Sequence, residues 1–410
     1  MARHLVIQLA RFGDILQTKR LVASLARQPG EDVHILVDHG LTELTRCIYP
    51  GCTVHGITAH AGLEGVSPAD CLSSVCQTLE RVATASFHSV FNLNYSGLSF
   101  SLASCFDPGQ VRGYVWRSGQ PMGQPWASMA VRWTRFRRRA GINLMDFWAG
   151  YAPDMASPET VNPPALPGGR GVGVVLSGRN ARRTLPAQTM AALAVAVARR
   201  VDRGSITLFG TSADSGAAGQ FRRHLPRAFS GQVNDLTGKT ALSDLPEALT
   251  GLDLLLTPDT GTMHLAAHLG VPVEALFTAS AWCFETGPYG TGHRVWQSVA
   301  NCAPCLEGGA CARELACREP FADTRLLRRL SSGKGEIPSG LVLLESCHDL
   351  LGADYQVLEG CDPARDDRGL LRKAVSRYLL GDAVVRGGDA SGRLYRERDW
   401  MLGARGGDLW

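Results

Sequence analysis

Lysine is scarce in this chain of 410 residues: Lys19, Lys239, Lys334 and Lys373 are four of 42 basic residues, and the rest are arginine. A guanidinium grips phosphate in a fixed two-pronged geometry that an ammonium does not match. A GC-rich genome would also favour arginine codons, and composition leaves both explanations open. The net charge is only +4, and no recognised nucleic-acid module accompanies the arginines, so nucleic acid is not an expected partner. No run of 18 apolar residues is present, which argues against a membrane-spanning helix. From Met1 to Asp14 a signal-peptide pattern is also lacking, because Arg11 and Asp14 interrupt the apolar segment; a cytoplasmic protein is expected. In that setting twelve cysteines do not suggest a disulfide framework. Singles such as Cys47, Cys105 and Cys347 read as small buried hydrophobes.

With 45% hydrophobic and 20% charged residues, the chain has the makeup of a globular protein too long for one ordinary core, and suits two α/β domains plus extra structure. A first strand over His4–Leu9 runs into Ala10-Arg-Phe-Gly-Asp-Ile-Leu-Gln-Thr18 and a helical stripe of Leu16, Leu21, Val22 and Leu25. Gly13 and Asp14 therefore lie at a strand-to-helix turn. The turn lacks Gly-x-Gly-x-x-Gly, so no dinucleotide cofactor is indicated and none is expected. Asp14 could take a proton from a hydroxyl or simply cap the helix. Further strands are expected at Val33–Val37, Val90–Leu93 and around Val111–Val115, alternating with helices as in a doubly wound sheet.

Between Trp126 and Arg139, the cations Arg132, Arg135, Arg137, Arg138 and Arg139 stand among aromatics. They could hold lipid phosphates or an anionic membrane surface, or form a solvated basic face. Five prolines and several glycines between Ala152 and Gly171 mark a linker. A strand–loop–helix pattern then restarts, with a strand at Val172–Leu176, a loop from Ser177 to Pro186 and a helix over Ala187–Val201. Another strand, Ile206–Phe209, precedes Gly210-Thr-Ser-Ala-Asp214. The stretch Leu252–Pro272 reads as a strand, a turn at Asp259-Thr260-Gly261-Thr262, and a helix carrying Met263 and His264. Amides at that helix start would suit a phosphate, although Asp259 or Thr260 could equally be a cap. Cys302-x-x-Cys305, Cys311 and Cys317 occupy a Gly-rich loop with spacing that suits zinc, an iron–sulfur group or a structural loop. The tail from Gly381 to Trp410 has no clear period, whereas Leu370–Leu380 has helical spacing with Arg372, Lys373 and Arg377.

Asp259-Thr-Gly-x-x-His264-Leu-Ala-Ala267, followed by Leu269-Gly-Val-Pro272 and Gly287-Pro-Tyr-Gly290, resembles the donor signature of the ADP-heptose:lipopolysaccharide heptosyltransferases, glycosyltransferase family 9. With Gly13-Asp14 and the loop after Leu176, the likeness runs in motif order over residues 1–320. It implies a GT-B fold, two Rossmann-like domains facing a central cleft. The domains would be an acceptor-binding one over 1–155, a nucleotide-sugar-binding one over 170–320, and a partly helical extension over 321–410. In the resembling family the Gly-Asp supplies the catalytic base, here Asp14. The donor would meet Gly178, Arg179, Arg183, Asp214, Asp259, Thr260, Gly261, Thr262, Met263 and His264; the acceptor would meet Gly13, Arg132 and Arg135. Arg183 replaces a usual lysine, Leu185 a common tryptophan, and Asp214 a glutamate that meets the ribose. Cys-x-Pro-Cys segments recur at this place in the family, which favours the structural-loop reading of the cysteines. Ser243 reads as a helix cap in a further matching segment.

The resemblance implies an inverting, metal-independent glycosyltransferase moving heptose from ADP-heptose to a lipopolysaccharide-type or lipid-linked acceptor. It would work in the cytoplasm, with peripheral attachment to the inner membrane as an option. A nucleotide-sugar epimerase of the same fold would turn over the donor without an acceptor. A non-catalytic binding or assembly protein would tolerate loss of Asp14.

Overall fold

The computed structural model describes residues 2–59, 68–117, 119–123, 126, 137–201, 204–305 and 310–379. It divides into two units, Met1–Phe136 with Met145–Ala156 and Arg377–Trp410, and Arg137–Leu144 with Ser157–Ser376.

The first unit is built on strands β1 (Arg3–Ile7), β2 (Asp32–Asp38), β3 (Thr53–Ile57), β4 (Ser89–Asn92), β5 (Val111–Arg117) and β6 (Gln120–Gly123), in the order β3-β2-β1-β4-β5-β6. The first five are parallel, and β6 returns antiparallel to β5. Their near-continuous apolar runs suit a sheet covered on both faces: Leu5, Ile7, Leu36, Val90 and Val111 form one core with Phe87 and Leu102. β1 stops at Ile7 rather than Leu9 because the Leu9 amide turns to the Asn94 side chain, at 2.6 Å. The following helices are Phe12–Leu16 and Lys19–Leu25. Arg20, on the second, is almost fully buried, pairs with Asp146 at 2.6 Å and donates to the Ala156 carbonyl at 2.9 Å.

The second unit holds β7 (Val172–Val175), β8 (Ile206–Phe209), β9 (Val233–Asp235), β10 (Leu254–Pro258), β11 (Val273–Phe277), β12 (Arg294–Ser298), β13 (Leu341–His348) and β14 (Ala353–Glu359). The sheet order is β14-β13-β12-β11-β10-β7-β8-β9. β7 to β12 run parallel, and β13 and β14 add two antiparallel strands beside β12. Val172, Val174, Ile206, Leu208 and Leu256 pack against Leu193 and Val197 of the helix Ala187–Ala198. That helix ends three residues short of Val201, where i→i−3 bonds from Arg200 and Val201 tighten the last turn.

Beyond residue 320 the chain thus continues the second sheet before the helix Arg365–Leu379. Two arginines of that helix are buried rather than displayed as a basic face. Arg372 binds both Asp349 oxygens, at 2.7 and 2.6 Å, and Arg368 pairs with Asp362 while its guanidinium lies 3.5 Å from the Phe284 ring centroid. Ser243 does not cap a helix: the helix Leu245–Leu249 starts after Asp244, and the Ser243 hydroxyl donates to the Asp244 carboxylate at 3.2 Å. Cys47 and Cys105 are exposed and Cys347 is half-buried, against the expectation of buried thiols; Cys47 falls on the outer side of the helix Thr42–Ile48, whose other side carries the apolar contacts. Among the described residues no helix is long and apolar enough to cross a membrane.

Candidate active site

Each sheet reverses its strand order beside its first strand, between β1 and β4 in one unit and between β7 and β10 in the other. Open α/β sheets bind ligands at the carboxyl end of such a switch point, where loops diverge to opposite faces and leave a crevice. Most of the candidate residues that the structure describes fall at or beside these two places.

In the second unit the loop after β10 carries Asp259, which is buried, and Thr260, which is the N-cap of the helix Gly261–His268. The Thr260 hydroxyl accepts the Met263 amide at 3.3 Å and lies 3.0 Å from the Thr257 hydroxyl. Capping leaves the Gly261 and Thr262 amides at the positive end of the helix dipole without an intrahelical acceptor. Met263 is fully buried beneath the turn, and His264 is 7% exposed.

The loop after β7 folds back on itself beside that turn. Asn180 caps a single turn over Ala181–Arg183 by accepting the Arg182 amide at 2.9 Å; the Thr184 hydroxyl donates to the Asn180 carbonyl at 2.9 Å and accepts the Gly178 amide at 3.1 Å. The fold-back brings Arg183 so near Gly178 that a Cβ there would lie 2.6 Å from that of Arg183. Arg183 reaches across to Asp259, Nη1 to Oδ2 at 2.6 Å. The same Oδ2 accepts the Thr286 hydroxyl at 3.0 Å. Leu185 is buried in the core under the loop, and Arg179 is exposed. Asp214 is committed to its own loop: Oδ2 accepts the Thr211 amide and hydroxyl at 2.7 and 2.8 Å, and Oδ1 accepts the Ser177 hydroxyl. Ser177 begins the β7 loop, so Asp214 borders the same crevice.

In the first unit Gly13 and Asp14 lie in the first turn of the helix Phe12–Leu16, which follows β1. Asp14 is half-exposed and caps the helix Phe12–Leu16 by accepting the Arg11 amide at 3.1 Å. Asn94, from the loop after β4, closes the switch point by donating to Gln8 at 2.5 Å.

Residues 171–315, which hold the whole β7 loop and the β10 turn, match the family model for glycosyltransferase family 9 (heptosyltransferase). The matched segment is about a third of the chain. Lipooligosaccharide heptosyltransferase 2 of Haemophilus influenzae is 30% identical over 73 residues, a stretch covering 18% of this chain and 21%, about a fifth, of that protein. In structure the chain is similar to a glycosyltransferase family 9 protein from Veillonella parvula, with a TM-score of 0.52 and 18% identity, over 70% of this chain and 83% of that one. It is also similar to the E. coli heptosyltransferase WaaC solved with ADP, with a TM-score of 0.53 and 15% identity, over 70% of this chain and 91% of that one. At these identities the likeness is one of fold, the GT-B architecture of two Rossmann-like domains.

Within the segment that matches the family model, then, Gly178, Arg183 and Asp259 come into direct contact, and Thr260, Gly261, Thr262, Met263 and His264 form one capped helix start. Arg132 and Arg135 lie outside the described residues. Three arginines of that basic segment are engaged: Arg137 chelates Glu285, Arg138 donates to the carbonyls of Ala300, Asn301 and Ala303, and Arg139 pairs with Asp367 at 3.0 Å. Cys302 is exposed, Cys305 Sγ accepts from Arg182 at 3.5 Å, and Cys311 Sγ accepts the Leu315 amide at 3.4 Å. Backbone N–H bonds hold the Cys311 thiol below its ordinary pKa, whereas burial pushes that of Cys317 up. Among the described residues no three His, Cys, Asp or Glu side chains are grouped to hold a metal ion. Sequence reasoning missed Thr286, because a lone threonine 27 positions from Asp259 carries no pattern.

Proposed function

We propose that this chain is an inverting glycosyltransferase that moves heptose from ADP-heptose to a lipopolysaccharide-core-type acceptor. The observation that carries the reading is the contact of Arg183 with Asp259 beside the open helix start at Gly261, inside the segment that matches glycosyltransferase family 9. A diphosphate in that crevice gains the Gly261 and Thr262 amides, which have no intrahelical acceptor, the helix dipole and a guanidinium, which stabilise charge as it develops on the leaving ADP. These groups supply the role that a divalent cation plays in other transferases, so the scheme uses no metal. Asp214, with carboxylate lone pairs beyond its three accepted bonds, serves the ribose hydroxyls. His264 shapes the donor pocket from one turn below.

Asp14 is the base. It accepts the acceptor hydroxyl's proton as the oxygen attacks the anomeric carbon from the face opposite the diphosphate, which inverts the configuration. Its cap bond to the Arg11 amide fixes the carboxylate's direction. Gly13 and the arginines 132 and 135 serve the acceptor, and the enzyme works in the cytoplasm with peripheral attachment to the inner membrane.

The test is release of free nucleotide diphosphate from ADP-, GDP- and UDP-sugars, with and without lipid-core acceptors, for the natural chain and Asp14→Asn. Acceptor-dependent ADP release that falls about 10²–10⁴-fold in Asp14→Asn, with ADP binding retained, is expected. Donor turnover without acceptor would favour an epimerase, and no binding of any donor would favour a non-catalytic protein.

A further inference from the structure

Arg137 and Glu285 stand 148 positions apart and are joined by three hydrogen bonds. Arg137 Nε lies 3.0 and 2.9 Å from the two Glu285 oxygens and Nη2 lies 2.6 Å from Oε2. The same guanidinium donates to the Cys305 carbonyl at 2.9 Å and the Ser280 carbonyl at 3.2 Å. One side chain thus ties together the helix Cys283–Thr286, the loop that follows β11, and the cysteine loop. The next residue after Glu285 is Thr286, whose hydroxyl holds the Asp259 oxygen that also receives Arg183. A continuous path therefore runs from Arg137 through Glu285 and Thr286 to Asp259 and Arg183. Burial raises the Glu285 pKa and Arg137 opposes the rise; the charges of Asp259 and Arg183 reach the same carboxylate.

We propose that Arg137 and Glu285 are positioning residues of the donor site: their clamp fixes the helix Cys283–Thr286, so that Thr286 holds Asp259 and Asp259 holds Arg183 against the donor diphosphate. The inference rests on the reading of Arg183 as a diphosphate ligand. It assigns a function to an arginine of the basic segment that the lipid-phosphate reading would have sent elsewhere. A clamp with five hydrogen bonds suits this task, because each bond removes one direction in which the helix could shift.

The test is a binding cycle with ADP as the probe, measured by calorimetry on the full chain for Arg183→Ala, Glu285→Gln, Thr286→Val and the double variant Arg183→Ala/Glu285→Gln. Glu285→Gln is expected to raise the ADP Kd about tenfold and Thr286→Val about threefold. Glu285→Asp, which keeps the charge, should recover part of the loss. In the Arg183→Ala background Glu285→Gln should add almost nothing, because a residue acting through Arg183 has no effect once Arg183 is gone. A merely structural role would instead give additive losses, and that outcome overturns the proposal. So does Glu285→Gln binding ADP as the natural chain does while Arg183→Ala is weakened; this leaves the diphosphate reading intact. If Arg183→Ala binds ADP unchanged, the diphosphate reading falls and takes the clamp's role with it. Should Glu285→Gln fold poorly, as its melting temperature would reveal, the same cycle run with Thr286→Val decides.

Discussion

Replacing Gly178 by alanine places a methyl group where Arg183 already sits. The new Cβ would lie 2.6 Å from Arg183 Cβ and 2.8 Å from its carbonyl oxygen, where ordinary contact begins at 3.4 Å. Because one of the two neighbours is backbone, the loop itself must retreat, by about 0.8 Å at Arg183 Cβ. That movement works against the 3.1 Å bond from the Gly178 amide to Thr184 and the 2.6 Å contact of Arg183 with Asp259. Misplacing a positioning group by about 1 Å costs on the order of 10²-fold in rate. Gly178→Ala should therefore lower kcat/KM for the donor by roughly 10- to 100-fold and weaken ADP binding in step. Calorimetric titration with ADP and steady-state kinetics would measure both. Gly216→Ala is the control: it lies in the helix Ser215–Arg223 with nothing within 4 Å of an added Cβ, so binding should be unchanged and stability slightly raised. If Gly178→Ala binds ADP within about twofold of the natural chain, the position of Arg183 does not hold the diphosphate.

Two further predictions concern stability. Arg20→Met leaves Asp146, whose side chain is 0% exposed, without its guanidinium partner, and should cost about 3–5 kcal/mol in urea denaturation. The double variant Arg20→Met/Asp146→Leu should regain most of that loss; a loss equal to that of Arg20→Met alone would show that the pair's charge is not the cause. The second concerns pH. Burial holds His55 at a pKa of about 4 and His293 at about 3, with His34 and His348 adding to the effect. Below the ordinary value near 6.5 the unfolded chain binds more protons than the folded one, so stability is complete above that pH and falls as pH drops toward 4 and then 3. Neither ring nitrogen of His293 has a hydrogen-bond partner. His293→Leu should therefore flatten the acid limb of denaturation midpoints measured at pH 7, 5 and 4, and an unchanged limb would refute the assignment.

Much of the architecture was legible because it depends on local pattern. Short apolar runs bounded by turn residues gave β1, β2, β4, β7, β8 and β10 to within one or two residues, since a strand buried on both faces must be apolar throughout. Asp14 and Thr260 were readable as helix-start residues for the same reason: capping is a short-range bond, and both are found making it. The restart of strand, loop and helix after the proline-rich stretch announced a second α/β unit.

What sequence did not disclose are bonds between residues far apart in the chain. β13 and β14 were not anticipated because an antiparallel extension follows from pairing with β12, which no local signal specifies. Arg137 and Arg138 read as ligands of lipid phosphates or as a solvated basic face because residue type and spacing record charge and not burial; only packing of distant segments gave them Glu285 and backbone carbonyls as partners. The sequence by itself determined β1, β2, β4, β7, β8 and β10 and where each switch-point loop begins. The tertiary structure alone decided which side chains those loops bring within hydrogen-bond distance, because such a contact depends on the register of whole strands and on a fold-back tight enough to require glycine at 178.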